Sequence, residues 1–279
     1  MPCGGRAPKI AIEQPLQRDH AMTQQDLART FHALHVAGRP LVLFNAWDAG
    51  SARAIAAGGA KAIATGSWSV AAANGFDDGE RLPLDLALGN LARIVDAVEL
   101  PVSIDLESGY GTSPDEVGRT VARAIDAGAI GCNLEDSFPH DGGLRAIEES
   151  AQRIAAARQA AEEKGVAFFI NARTDVYFQK DAAKNEAANI EMTIERAQAY
   201  AKAGASGLFV PGLAAPDSIR RVVEVSPLPV NIMVMDDTPS LAELAALGVA
   251  RVSHGPGPYS RAMAQLTEAA RAALEMDQA

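Results

Sequence analysis

The chain has 279 residues, 48% of them hydrophobic and 22% charged, the composition of ordinary globular material. Its 35 acidic against 25 basic side chains give a net charge of −10, without long runs of either sign; with no basic stripe to neutralise phosphates, a nucleic-acid partner is not expected. No apolar run approaches the roughly 18 residues that cross a bilayer, so no membrane partner is expected either, and two cysteines, Cys3 and Cys132, cannot build a disulfide framework, which points to a reducing cytoplasm.

Residues 1–21 lack the apolar core and cleavage pattern of a secretory signal and read as a disordered leader, with Met22 as an alternative start. No linker interrupts residues 22–279, which read as a single domain. Between 24 and 36, Leu27, Phe31 and Leu34 recur at helical spacing, and Gly38 ends the helix. Residues 40–45 form the first apolar strand, Trp47 and Asp48 lie just beyond it, and an alanine-rich helix starts at Ser51. From there one phrase recurs: a helix end, a glycine, then a buried strand. It appears at Gly58-Gly59, Gly128, Gly204 and Gly248, feeding strands at 62–65, 131–135, 207–210 and 251–253. A second phrase, Leu-Pro-Val, opens strands at Leu100 and Leu228, and 168–171 brings the number of strands to eight. Unbroken apolar strands alternating with helices imply a parallel sheet covered on its faces. Eight such units predict an α/β fold of the closed (β/α)8, TIM-barrel type, with a doubly wound sheet as the alternative.

Residues 101–111 read Pro-Val-Ser-Ile-Asp-Leu-Glu-Ser-Gly-Tyr-Gly, a buried strand that ends in two carboxylates and two glycines. Asp105 and Glu107 share one side of the extended chain; at about 6 Å they repel by roughly 3 kcal/mol at an effective dielectric of about 20. A divalent cation or a raised pKa would relieve that repulsion; the competing reading is a solvated strand end, or caps for a helix starting near Ser113. In a barrel, chemistry gathers at the C-terminal strand ends. Polar residues sit at seven of them: Asn45 and Asp48, Gly66 and Ser67, Asp105 and Glu107, Glu135 and Asp136, Asn171 and Arg173, Asn231, and Ser253 with His254. Seven in register point to an enzyme.

Over nearly all of 40–263 the motifs resemble the isocitrate lyase / phosphoenolpyruvate mutase superfamily. The resemblance rests on Asn45-Ala-Trp-Asp-Ala-Gly-Ser-Ala, Thr65-Gly-Ser-Trp-Ser-Val-Ala-Ala, Asp105-Leu-Glu-Ser-Gly-Tyr-Gly, Asn133-Leu-Glu-Asp, Asn171-Ala-Arg-Thr-Asp and Pro229-Val-Asn-Ile. It implies a (β/α)8 barrel whose last helix is exchanged between subunits of a homodimer or homotetramer. It also implies a Mg²⁺ ion, with Mn²⁺ as a substitute, and a small carboxylic acid substrate built on a 2-oxo acid or its enolate. By this resemblance Asp105 binds the metal directly, while Glu107, Glu135 and Asp78 hold it mostly through water; Glu107 stands where the family more often has aspartate. Trp47, Gly66, Ser67 and Trp68 match the stretch around the substrate carboxylate, Arg173 the arginine that neutralises substrate oxygen, and Asn231 a substrate-binding asparagine. Such a set suits Mg²⁺, a hard ion that keeps several waters and stabilises an enolate.

The departures restrict the chemistry. Succinate-releasing lyases carry a Lys-Lys/Arg-Cys-Gly-His loop after the fourth strand; here that loop reads Ser137-Phe-Pro-His-Asp-Gly-Gly-Leu, and Cys132 lies within the strand as a core residue. Gly212 replaces the lyase glutamate after the sixth strand, and His140-Asp141-Gly142 and Pro211 replace the mutase elements. Arg173, Glu135 and His140 remain as candidate catalytic groups, His140 as the proton donor, with a solvated loop histidine as its competing reading. Tyr110 is a candidate lining residue, while His32, His35 and His254 read as structural. Residues 137–146, with their glycines and proline, fit a gating lid. The expected activity is C–C cleavage of the lyase or decarboxylase type. P–C chemistry of the phosphonomutase or phosphonopyruvate hydrolase kind, and a catalytically silent oxo-acid binder, are the alternatives.

Overall fold

A computed structural model describes residues 22–180 and 182–276; the expected leader lies outside the described residues. The eight strands are β1 (Leu41–Leu43), β2 (Ile63–Ala64), β3 (Val102–Asp105), β4 (Gly131–Glu135), β5 (Phe169–Arg173), β6 (Gly207–Val210), β7 (Val230–Met233) and β8 (Arg251–Ser253). All neighbours pair in parallel in the order β1-β8-β7-β6-β5-β4-β3-β2. The seam between β1 and β2 is closed by one parallel bridge between Ala46 and Thr65, with the Ala46 N–H donating to Ala64 O at 2.8 Å. The sheet is therefore a (β/α)8 barrel, and the doubly wound alternative is set aside.

Helices α1 (Gln24–Ala33), α2 (Ala49–Ala57), α3 (Ser67–Ala73), α4 (Leu84–Ala97), α5 (Pro114–Asp126), α6 (Ile147–Glu163), α7 (Glu186–Lys202), α8 (Pro216–Val225), α9 (Leu241–Ala246) and α10 (Gly257–Met276) complete the fold. Their starts are written locally. Thr23, Asp48, Ser113 and Ser240 cap α1, α2, α5 and α9, each in a reciprocal box with the residue three places on. Asp48, grouped by sequence with the strand-end polar residues, is thus a helix cap, because its carboxylate is held by the Ser51 N–H at 2.7 Å. The recurring glycines turn the chain from helix to strand: Gly59, Gly128, Gly204 and Gly248 have φ between +85° and +97°, where a side chain is strained.

Alternation along the strands separates two cores. Ile104, Cys132, Leu134, Ile170, Ala172 and Leu208 face the surrounding helices, so Cys132 is a core residue, its thiol pushed up to about 12 by burial. Inside the barrel Leu41, Leu43, Ala62, Ala64 and Phe169 pack under α1, which closes the bottom with Ala28 and Phe31. Gly131 and Gly207 flank Phe169, and a Cβ at either would come within 3.0 Å of it. Above this apolar floor lies a polar layer, where Asn133 Oδ1 accepts from Asn171 Nδ2 at 2.9 Å and from the buried Arg251 Nη2 at 3.2 Å. No helix among the described residues is long and apolar enough to cross a membrane.

His35 belongs to the bottom of the barrel. Its ring stacks on Phe169 at 4.0 Å, Nδ1 donates to Phe31 O at 2.8 Å, and Nε2 is buried without a partner. Burial, aided by the Arg251 charge, pushes its pKa down from 6.5 to about 3. The unfolded chain therefore binds a proton at His35 below about pH 6.5 that the folded chain refuses until about pH 3, so stability falls across that window as pH falls. Replacing His35 with Gln should flatten the acid limb of the unfolding profile between pH 6.5 and 4 by about 2 kcal/mol. Superimposable wild-type and His35→Gln profiles over that range would overturn the assignment.

Candidate active site

The C-terminal strand ends carry a cluster of carboxylates built in two halves. In the first, β3 delivers Asp105 to the barrel mouth. Its Oδ2 accepts from the backbone N–H and the hydroxyl of Ser67, at 3.1 and 2.9 Å, and its own N–H donates to Thr65 Oγ1 at 2.9 Å. Oδ1 has only a long 3.4 Å contact from the Glu107 N–H, so it faces the mouth nearly unengaged.

Glu107, Tyr110 and Glu80 are the non-glycine residues at positive φ among those described, at +49°, +52° and +59°, and they hold one another. Glu107 Oε2 accepts from the N–H groups of Gly79 and Glu80 at 2.8 and 2.7 Å, and Tyr110 OH donates to Oε1 at 3.2 Å. In return Glu80 Oε1 accepts from Ser108 Oγ at 2.7 Å and from the Tyr110 N–H at 2.9 Å. Two loops are clasped through each other's carboxylates, and the left-handed residues are held by that clasp. Burial, then the charges of Asp78 and Asp105, pushes Glu107 up to about 7; burial and Asp105 likewise raise Asp78.

The second half is centred on Arg173 at the end of β5. Its Nη1 lies 2.8 Å from Glu135 Oε2, while Nε and Nη2 donate to Asp175 Oδ1 and Oδ2 at 2.6 and 2.9 Å. Ser137 Oγ lies 2.7 Å from Glu135 Oε1 and 3.1 Å from Asp175 Oδ2, joining the two carboxylates. Burial raises Glu135 against the pull of Arg173, and the paired carboxylates hold Arg173 charged. Asp136 turns away to accept from Arg196 Nη1 and Tyr200 OH of α7 at 2.9 and 2.7 Å, and from the Asp175 N–H at 3.0 Å.

The remaining sequence candidates fall around these halves. Asn231 is buried, its Oδ1 accepting from Ser253 Oγ at 3.2 Å and its Nδ2 left without a partner, a donor aimed at no protein acceptor. Gly66 caps α3, and its N–H donates to Ala46 O at 3.3 Å in the barrel seam. Trp47 and Trp68 meet Tyr259 of α10 edge-on, with centroids 5.3 and 5.9 Å away. Asn45 is a clamp: it accepts from the His254 and Gly255 N–H groups and donates to Thr65 O. His140 stands apart. It is exposed, its Nε2 lies 3.2 Å from Asp141 Oδ2, and it lines a groove of about 570 Å³ with Tyr110 and Glu80 instead of joining Arg173. Its loop is ordered by a bridge from Ser137 to Leu144 and by Arg145 over the Phe138 ring at 4.1 Å.

Sequence reasoning did not assign Asp175, Ser137, Glu80 or Gly79 to the site. Asp175 closes the Asn171-Ala-Arg-Thr-Asp motif, and Gly79 and Glu80 extend the acidic run from Asp77, so the signals were present.

Does this donor set fit a Mg²⁺ ion? No group of three or more His, Cys, Asp or Glu side chains among the described residues converges as a ready-made cage. Mg²⁺ does not need one, because it is held by one or two carboxylates with water and substrate completing the shell. Asp105 Oδ1, nearly unengaged, beside Asp78 and Glu107 whose pKa values rise through burial and then through the neighbouring carboxylates, fits that mode.

Comparison with known proteins agrees with this architecture. The chain is 37% identical over 249 residues to an uncharacterized Mycobacterium tuberculosis protein, covering 89% of this chain and 90% of that one. It is 29% identical over 252 residues to an oxaloacetate decarboxylase of Pseudomonas entomophila, covering 86% and 82%. A crystal structure of a candidate phosphonomutase from Burkholderia cenocepacia matches with a TM-score of 0.88 and 56% identity, over 90% of this chain and all (100%) of that one. Phosphonopyruvate hydrolase in complex with oxalate and Mg²⁺ matches with a TM-score of 0.79 and 26% identity, over 92% and 88%. The family model described as phosphoenolpyruvate phosphomutase matches residues 31–274, and the chain belongs to that family.

Proposed function

We propose that this protein is a Mg²⁺-dependent enzyme of a small 2-oxo acid or its enolate, breaking or making the C–C bond next to the carbonyl. The observation that carries the reading is the presence at one mouth of Asp105, with one nearly unengaged carboxylate oxygen, and of Arg173, the cation bonded to Glu135 and Asp175. When bound, the metal supplies positive charge for the oxygen of a substrate that becomes an enolate. Asp105, Asp78, Glu107 and Glu135 would hold it. Arg173 directs N–H donors to the same space, stabilising negative charge where it develops. Asn231 Nδ2 adds a neutral donor, and the buried walls keep the local dielectric low, so each donor counts for more. A P–C reading is favoured by the likeness to the Burkholderia candidate phosphonomutase. Against it, Arg173 already faces two carboxylates, and a phosphonate would need more cationic compensation than the mouth offers.

The test is thermal unfolding with and without Mg²⁺ against oxaloacetate, 2-methylisocitrate, phosphonopyruvate and oxalate. A ligand at a hundred times its Kd adds about 2.7 kcal/mol of stability. The expected result is a Mg²⁺-dependent rise in midpoint for one C–C substrate, abolished in Asp105→Ala. A rise for phosphonopyruvate alone selects the P–C reading. No rise for any ligand refutes the site, and a rise without turnover identifies a silent binder.

The protein is also proposed to be a homodimer or homotetramer that exchanges α10. That helix is largely exposed, with Leu266 at 61% and Leu274 at 67%. Beside its start lies an apolar groove of about 1040 Å³, lined by Leu34, Val42, Phe44, Ile55, Pro258 and Ala262 among others. Light scattering should give a dimeric or tetrameric mass, and Leu266→Asp with Leu274→Asp should reduce it to that of a monomer. A monomeric wild type, or an unchanged mass in the double variant, contradicts the exchange.

A further inference from the structure

Arg173 can present N–H donors along three edges, and the structure shows which are taken. The Nε–Nη2 edge is engaged side-on by Asp175, at 2.6 and 2.9 Å. Nη1 forms an ion pair with Glu135 Oε2 at 2.8 Å. Asp175 thus takes Nε and one Nη2 proton, and the donors it leaves are those on the Nη1 side of the fork. The plane of the guanidinium is bounded by Phe178, 5.7 Å away on the short helical turn after Asp175, and by Phe209, 5.9 Å away on β6.

Asp175 is itself held from behind. It is buried, and its N–H donates to Asp136 Oδ1 at 3.0 Å. Asp136 Oδ2 receives Arg196 Nη1 and Tyr200 OH, both from α7, and Arg196 Nη2 reaches Arg145 O at 3.0 Å in the loop after β4. A continuous buried chain therefore runs from α7, on the outside of the barrel, through Asp136 and Asp175 to the arginine at its mouth. Exposed ion pairs are loosely held; here Asp136, Asp175, Arg196 and Tyr200 are buried and each carboxylate has several donors.

We propose that Asp175 is the positioning residue of the site: it fixes Arg173 by the Nε–Nη2 edge so that the Nη1 side of the fork serves the substrate, and α7 anchors it through Asp136. The substrate class follows from that placement, because guanidinium donors held in one orientation suit the oxygens of a planar carboxylate. The inference rests on the oxo-acid reading above, and its test separates the two.

The first measurement is Mg²⁺-dependent oxalate binding by calorimetry to the wild type, Asp175→Asn, Arg173→Lys and the double variant, each checked for fold by circular dichroism. Asp175→Asn should weaken oxalate by about 30-fold, the effect of freeing a positioned group. In the Arg173→Lys background the same change should cost no more than about twofold, because the two residues act as one unit. A folded Asp175→Asn that binds oxalate like the wild type, or losses that multiply independently, overturns the proposal.

The second measurement needs no substrate. The Arg173 Nε–H resonance, assigned by its absence in Arg173→Lys, should be shifted downfield and slow to exchange in the wild type, and should lose both properties in Asp175→Asn. If the wild type fails to bind oxalate, the oxo-acid reading falls, and this resonance still decides whether Asp175 holds Arg173. Should Asp175→Asn not fold, fast exchange of the wild-type resonance with water overturns the proposal and slow exchange supports it.

Discussion

Replacing Arg173 with Met should lower Mg²⁺-dependent turnover of the oxo-acid substrate by about 10³-fold and lower stability by about 3–5 kcal/mol. The two losses have different origins. The first is the removal of donors from the place where negative charge develops on the substrate. The second arises because Asp175 is buried and Glu135 nearly so, and each loses the cation that compensates its desolvation. An unpartnered buried carboxylate takes up a proton, so the stability deficit should shrink as pH falls, measured as the difference in unfolding free energy between wild type and variant from pH 8 to pH 5. Arg173→Lys keeps a charge but not the fork, and should recover part of the stability with little of the activity. Activity of Arg173→Met within tenfold of the wild type would sink the proposed role.

How much of the fold and site was legible in the sequence depends on how local each signal is. The strands and the glycine-ended helices were readable because hydrophobic runs and left-handed turns are properties of a few consecutive residues; Gly128 and Gly204 stand where the phrase put them, at φ +96° and +97°. Asp105 was readable because an acid at the end of an apolar strand is conspicuous. Its hydrogen bonds from Ser67 were not, since Ser67 opens α3 and meets Asp105, at the end of β3, only when β2 and β3 pair.

Asp175 belongs to a legible motif yet was given no part in the site. A continuing strand would carry it onward along the sheet; instead the strand ends at Arg173, and Asp175, at the start of a short helical turn, folds its carboxylate back onto Arg173. Glu107 was read as one more acid for the metal. The positive φ that places both its oxygens on the opposite loop and Tyr110 is a backbone property that a glutamate in the sequence does not announce. His140 illustrates a signal whose place only packing decides. A histidine in a glycine-rich loop invites an acid–base role, but its position depends on where the loop packs, and here it lies against Asp141 and Phe138.

Gly79→Ala should be disproportionately costly because the clasp between the two loops passes through this residue. Gly79 adopts φ +85°, donates its N–H to Glu107, and presses against the next loop so closely that a Cβ would lie 2.6 Å from the Pro139 carbonyl oxygen. The backbone conformation alone costs an alanine about 1 kcal/mol; displacing a neighbouring backbone oxygen adds about 2 kcal/mol more. Gly75, in the same connection, provides the control, since it has φ +79° but nothing within 4 Å of an added Cβ. Gly75→Ala should therefore lose about 1 kcal/mol and Gly79→Ala about 3 kcal/mol in denaturant unfolding. The functional consequence should separate them further. Moving Gly79 drags on Asp78 beside it and loosens Glu107, so Mg²⁺-dependent oxalate affinity should fall by about tenfold or more in Gly79→Ala and stay unchanged in Gly75→Ala. Equal stability losses in the two variants would show that Pro139 yields without resistance. Unchanged affinity in a destabilised Gly79→Ala would show that the Glu107–Glu80 clasp supports the loops without setting the geometry of the carboxylates they carry.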